Sequence, residues 1–276
     1  MQTGAPKKAA ITSSVMLWTL KGTFEQKVEI AARAGLQSVE LVDEHVNWSD
    51  SDAVAKKKFV RSFNLGIDTI IATPNWAKRP VSMVDPAQRE GFLNDVKTAL
   101  GWAQKLEVPQ IILMSGNAIP GKSYEEQYAS LVEGSKRAAE LAGQASVTLI
   151  FEPLNSKVNH KGYFLATCVE GLRLMKDVSH PNLKLLFDIY HEQVQSGDVT
   201  RILTEAVPHV AVFHVEDNPG RHEPGTGELN YPHLYRSIHK TDFSGYICME
   251  YLPLTDPVAS LKRSVDDMRA NLRPKA

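Results

Sequence analysis

VTLIFE (Val147–Glu152), LKLLFD (Leu183–Asp188), HVAVFH (His209–His214) and GYICME (Gly245–Glu250) are four apolar runs, each stopping at a side chain able to bind a metal. Short runs rich in β-branched and aromatic residues read as buried strands. Their last residues are 36, 26 and 36 positions apart, which leaves room each time for a strand, a helix and a return.

The same rhythm continues outward from these runs. Ile11–Trp18, Ser38–Asp43, Ile67–Thr73 and Gln110–Ser115 read as four earlier strands. Helical spacing of apolar residues marks Phe24–Ala34, Asp52–Phe63, Pro86–Leu106, Tyr124–Gly143, Thr167–Asp177, Val199–Ala206, Tyr231–Lys240 and Val258–Leu272. Thr23 with Gln26, and Ser123 with Glu126, have the capping-box spacing, and Gly35 stands where a left-handed helix end is usual. Eight strand–helix units predict an α/β fold, a single (β/α)8 TIM-barrel domain over residues 1–276, with 1–10 a flexible N-terminal extension. The alternative, an open doubly wound sheet, lacks a G-x-G-x-x-G after an early strand.

The 31 basic and 32 acidic residues nearly cancel, so no global field gathers nucleic acid or an anionic membrane. The expected partner is a small-molecule substrate, and a homo-oligomer is compatible with the composition. Two cysteines, Cys168 and Cys248, form no zinc or CxxC spacing and suit a reducing compartment. No apolar run approaches the roughly 20 residues of a membrane span, so a cytoplasmic protein is expected. The MQTGAPKKAA start is read either as an extension or as the remnant of a removed leader.

In a barrel the carboxyl ends of the strands form the active site, so Glu152, Asp188, His214 and Glu250 should converge. Alternation along the strands places Ile150, Leu186, Val212 and Cys248 as an apolar layer beneath them. Taken singly, a carboxylate at a strand end is more often a solvated rim residue or a helix cap, and a lone His more often packs. Four in succession favour one divalent cation, because three carboxylates and an imidazole crowded together repel without it. Oxygen-rich ligation with one imidazole suits Mn²⁺, Mg²⁺ or Co²⁺.

FEPLNSKVNHKGYF (Phe151–Phe164), HPNLKLLFDIYH (His180–His191), FHVEDNPGRHEPGTGELNY (Phe213–Tyr231) and MEY (Met249–Tyr251) resemble the hydroxypyruvate isomerase branch of the xylose-isomerase-like barrels, which includes tagatose and psicose 3-epimerases. The resemblance covers most of the C-terminal half. It implies that Glu152, Asp188, His214 and Glu250 are metal ligands and that Glu152 and Glu250 are the catalytic acid/base pair. It places His191 and Arg221 at substrate oxygens, with a weaker carry-over for His160, Lys161 and Glu228. The expected activity is an isomerase moving a carbonyl through an enediolate, hydroxypyruvate to tartronate semialdehyde, with Arg221 or Lys161 on the substrate carboxylate. Alternatives are a ketose 3-epimerase on a free sugar, a metal-dependent abasic-site nuclease and a non-catalytic small-molecule-binding barrel.

Other residues invite a role in the pocket. Trp18, Trp48 and Trp76 fall at or beyond early strand ends and could wall it or pack under loops. Glu44 and His45 read as a solvent-facing pair, Lys56–Lys58 as a solvated helix face, and Gly225 and Gly227 as turn residues with positive φ.

Overall fold

The computed structural model describes residues 11–75 and 81–272. Eight parallel strands follow one another round a closed barrel. They are β1 (Ile11–Met16), β2 (Ser38–Glu40), β3 (Gly66–Ile71), β4 (Gln110–Leu113), β5 (Thr148–Phe151), β6 (Leu183–Asp188), β7 (Val210–Val215) and β8 (Gly245–Met249). β8 closes on β1, with Ile11 opposite Gly245 and Val15 opposite Met249. Closure removes the unpaired edges that an open sheet would present.

The covering helices are α1 (Phe24–Arg33), α2 (Asp50–Ser62), α3 (Arg89–Leu106), α4 (Tyr124–Ala145), α5 (Cys168–Val178), α6 (Ile189–Gln195), α7 (Val199–Ala206), α8 (Tyr231–His239) and α9 (Pro257–Asn271). The TIM barrel expected from the sequence is therefore the fold observed. No helix among the described residues is long and apolar enough to cross a membrane.

Local chemistry fixes the helix starts. Complete capping boxes open α1 (Thr23/Gln26), α2 (Ser49/Asp52), α4 (Ser123/Glu126) and α5 (Thr167/Glu170), each hydroxyl contributing about 1 kcal/mol. Gly35, at φ +79°, follows α1 as expected. On the outer face of α2, Lys56 pairs with Glu25 and Lys57 with Glu107.

Three departures from the sequence reading have physical causes. β2 stops at Glu40 rather than Asp43, because the Glu44 carboxylate takes the Val42 amide (2.8 Å) and turns the chain. α3 begins at Arg89 rather than Pro86, since Asp85 accepts from the Ala87 amide (3.0 Å) and the Gln88 side chain (3.1 Å) in a preceding turn. The seven-residue α6 was not anticipated; two turns are too few for an apolar period to show.

Phe151, Phe187 and Phe213 are wholly buried on adjacent strands, with Phe187 and Phe213 centroids 5.6 Å apart. By strand alternation they face the helices, while Ile150, Leu186, Val212 and Cys248 share the face of the site residues. All four of these are completely buried. The layer is not uniformly apolar, because the Cys248 thiol sits with Glu40 and His214 in one tight group.

Candidate active site at the barrel mouth

The ladder gathers the four strand ends at the carboxyl end of the barrel. Asp188 is the register partner of His214, and His214 of Cys248, two residues before Glu250. Glu152 and Glu250 stand one residue beyond β5 and β8, each held by a backbone bond to the neighbouring strand: Glu152 N–H to Leu113 O (3.0 Å) and Glu250 N–H to Val215 O (3.2 Å). The Tyr163 hydroxyl fixes the β5 tip further, donating to Glu152 O (3.1 Å) and accepting from the Ser115 amide (2.8 Å).

One donor atom from each of Glu152, Asp188, His214 and Glu250 lies within 4.8 Å of the others, and all four residues are buried. His214 Nδ1 is 2.7 Å from Glu250 Oε2 and 3.8 Å from Glu152 Oε1. Asp188 divides its carboxylate: Oδ1 caps α6 by accepting from the His191 amide (2.7 Å), while the buried Oδ2 has no hydrogen-bond partner. A strand-end carboxylate read as either cap or ligand thus has one oxygen for each. An orphaned buried oxygen beside two more carboxylates and an imidazole fits a divalent cation, because burial without a partner disfavours the charge.

The titrating groups show the same strain. Burial, reinforced by Glu250, raises the Asp188 carboxyl to about 6 against the pull of Arg221 and His214. Burial likewise pushes Glu152 up, with His214 opposing and Glu250 and Asp188 adding to the rise. Glu250 goes the other way, to about 2: burial would raise it, but Arg221 and His214 outweigh that. Burial would lower His214, yet Glu40 and Glu250 flank its two ring nitrogens and raise it well above the usual imidazole range.

Glu40, Asn155, Glu216 and Asp217 escaped the sequence reading. Glu40 comes from β2, across the barrel, and places Oε2 3.1 Å from His214 Nε2, both side chains being fully buried. A carboxylate on the far nitrogen favours a hydrogen there and leaves Nδ1 facing Glu250 and Glu152. Asn155 does the equivalent for His191: its backbone N–H and side-chain nitrogen lie 3.2 and 2.6 Å from Nδ1, which leaves Nε2 facing Asp188 Oδ2 at 3.7 Å. Asp217 staples the loop after β7, accepting from the amides of Asn218, Gly225, Thr226 and Leu229 at 2.8–3.1 Å.

That loop carries Arg221, whose backbone is left-handed (φ +55°). Its Nη2 lies 2.6 Å from Glu216 Oε1, 3.3 Å from Glu250 Oε2 and 3.9 Å from Asp188 Oδ2, with no hydrogen-bond alignment to any of them. Asp188, His191 and Glu216 could also surround a cation, but the guanidinium already stands among those carboxylates.

The pocket above the cluster has a volume of about 250 Å³. Glu152, His160, His191, Arg221 and Glu250 line it, as does Trp18, whose indole N–H donates to Glu250 Oε1 (2.9 Å). Asp188 and His214 lie beneath. Burial, with Arg221 nearby, brings His160 down to about 4 and His191 well below its usual value. Both imidazoles are therefore neutral at neutral pH, and Arg221 is the fixed cation of the lining among the described residues.

Lys161 is exposed and does not border the pocket. Glu228 is exposed too, and ties the loop by accepting from Gln193 (3.0 Å) and Asn218 (2.7 Å) side chains. Trp48 packs edge-on against Phe24, and Trp76 lies outside the described residues. The solvent-facing expectation for His45 is corrected: it is 3 % exposed and packs edge-on against the Trp102 ring, shielded from water. Gly225 has the expected positive φ, whereas Gly227 is required by close approach, since a Cβ there would lie 2.2 Å from Asn218 O.

A barrel whose mouth gathers several buried carboxylates and imidazoles with a fixed guanidinium is the framework of a small-molecule enzyme. The chain belongs to the xylose isomerase-like TIM barrel family, which it matches over residues 28–270. It is 32% identical over 243 residues to the hydroxypyruvate isomerase of Escherichia coli (strain K12), covering 87% of this chain and 92% of that one. Among solved structures, an AP endonuclease, family 2, from Brucella melitensis superposes with a TM-score of 0.83 at 25% identity, over 94% of this chain and 98% of the other. A D-psicose 3-epimerase from Clostridium cellulolyticum H10 superposes at 0.82 with 16% identity, over 96% and 100%, a likeness of fold. By its likeness to the Escherichia coli enzyme the chain is an isomerase.

Proposed function

We propose that the enzyme interconverts hydroxypyruvate and tartronate semialdehyde, with one divalent cation of the Mn²⁺, Mg²⁺ or Co²⁺ type held by Glu152, Asp188, His214 and Glu250. The observation that carries this reading is the meeting, in one small pocket, of two buried carboxylates with the one fixed guanidinium of its lining among the described residues. The name of the Escherichia coli relative agrees with it. When bound, the cation polarises the carbonyl and offsets the negative charge that develops on oxygen, contributing several kcal/mol.

The side chains supply the rest. The buried Nε and Nη2 of Arg221 have no hydrogen-bond partner, and a planar guanidinium edge matches a carboxylate. His191, neutral and anchored by Asn155, presents Nε2–H to a substrate oxygen. Of the pair Glu152 and Glu250, one takes the proton from C3 and the other returns one at C2. The hydroxyl hydrogen moves from O3 to O2, so nothing is oxidised or reduced overall. Each positioned carboxyl contributes on the order of 10²–10⁴-fold.

The test supplies Mn²⁺ to the enzyme, offers hydroxypyruvate, fructose and tagatose separately, and identifies products by NMR. Tartronate semialdehyde should form from hydroxypyruvate. Glu152→Gln and Glu250→Gln should each lose at least about 100-fold in kcat while keeping the wild-type circular dichroism spectrum. Turnover of ketoses alone, or near-normal activity in either variant, would overturn the reading.

A further inference from the structure

Arg221 is held more tightly than contact with a substrate alone requires. Its backbone is pinned on both sides: the Arg221 N–H donates to Asp217 O (3.1 Å), and Arg221 O accepts from the Leu252 N–H (2.7 Å). The Tyr190 and Trp18 ring centroids lie 5.0 and 5.7 Å from its Cζ, within the range at which a ring face attracts a cation. Nη2 is thereby set among Glu216, Glu250 and Asp188, at 2.6, 3.3 and 3.9 Å from an oxygen of each.

Glu216 is placed with equal care. It is wholly buried, and neither carboxylate oxygen has a hydrogen-bond partner. The hydroxyl of Tyr231, the first residue of α8, locks its backbone, accepting from the Glu216 N–H (3.0 Å) and donating to Glu216 O (2.7 Å). One donor atom from each of Asp188, His191 and Glu216 lies within 4.8 Å of the others, and Asp188 belongs to the four-residue group as well. Two carboxylates and an imidazole at that spacing suit a divalent ion. We infer that Asp188, His191 and Glu216 form a second cation site of which Arg221 is the resident cation, and that its charge keeps the barrel mouth at one metal ion.

This rests on the four-residue metal reading above and deepens it. A tethered guanidinium fills the second site whatever the supply of metal, and it presents directional N–H donors where an ion would present open coordination positions. Removing it leaves Glu216 as an uncompensated charge in a buried place, a state that another cation relieves. The ion so recruited would share Asp188 with the first. That is the arrangement of two-metal sites, whose ions stand about 4 Å apart and therefore couple magnetically.

The experiment dialyses the full-length enzyme and its variants against Mn²⁺, measures bound metal per chain, and uses electron paramagnetic resonance to tell isolated from coupled ions. Wild type should hold one isolated ion. Arg221→Asn and Arg221→Gly, both of which tolerate the left-handed backbone at this position (φ +55°), should each hold two coupled ions. Arg221→Lys, which keeps a positive charge on the loop, should hold one, and so should Arg221→Asn combined with Glu216→Gln. Circular dichroism selects the variants that keep the fold. One ion in a folded Arg221→Asn or Arg221→Gly, or two in Arg221→Lys or in wild type, overturns the inference while the four-residue reading stands. If wild type holds none, that reading falls and the second site with it.

Discussion

Glu40 is the residue whose role depends most on distance in the fold and least on its place in the sequence. Inside SVELV it looks like one more polar residue near a strand end, yet its carboxylate sits 3.1 Å behind the imidazole of His214. Glu40→Gln keeps the shape and removes the charge. The Mn²⁺ affinity measured by calorimetry should weaken about 10- to 100-fold with the melting temperature little changed. An unaltered affinity would remove Glu40 from the positioning of the ligand group. Glu152, Asp188, His214 and Glu250 could be picked out beforehand because each ends an apolar run, so a local pattern and a chemical type coincide. Glu40 and Asn155 carry no such mark: they matter through partners 174 and 36 positions away, and pairing across that separation is not a property of any short window of sequence.

At the scale of elements, the loop between β7 and α8 is the part that most exactly sets the pocket. Asp217 gathers four of its amides, and Gly227 lets it pass against Asn218 O. Gly227→Ala would place a methyl group 2.2 Å from that carbonyl, so the backbone must shift. Arg221 rides on the same loop. Overpacking of this kind costs about 1–3 kcal/mol of stability, and a displaced guanidinium should raise KM for hydroxypyruvate on the order of tenfold. Steady-state kinetics beside urea unfolding would show it; an unchanged KM in a destabilised variant would separate the loop's packing from Arg221's placement. The eight strands and eight of the helices were legible from period and caps, whereas α6 was not. Its two turns exist because Asp188 caps them, and the same carboxylate had to be read as a possible ligand.

At the scale of the molecule, stability should depend on acid through His45. Burial holds its folded pKa at about 4, against the weaker opposite pull of Asp43, while 6.5 is the ordinary value. Between those values the unfolded chain binds a proton that the native one refuses, so stability falls as pH drops through this window and is intact above it. The loss amounts to about 3 kcal/mol once pH is below 4. His160 and His191 are depressed as well, so His45→Gln should shrink the difference in unfolding free energy between pH 7 and pH 4.5 without abolishing it. An identical difference in the variant would show that another group carries the acid sensitivity.

The division of the mouth between β1–β4 and β5–β8 has a further consequence. The apolar lining residues Met16, Val42, Ile71, Ile112 and Met114 come from the first half of the chain, while Glu152, His160, His191, Arg221 and Glu250 come from the second. Substitutions at Met16, Val42, Ile71 or Ile112 therefore alter the pocket wall without replacing Glu152, Asp188, His214 or Glu250.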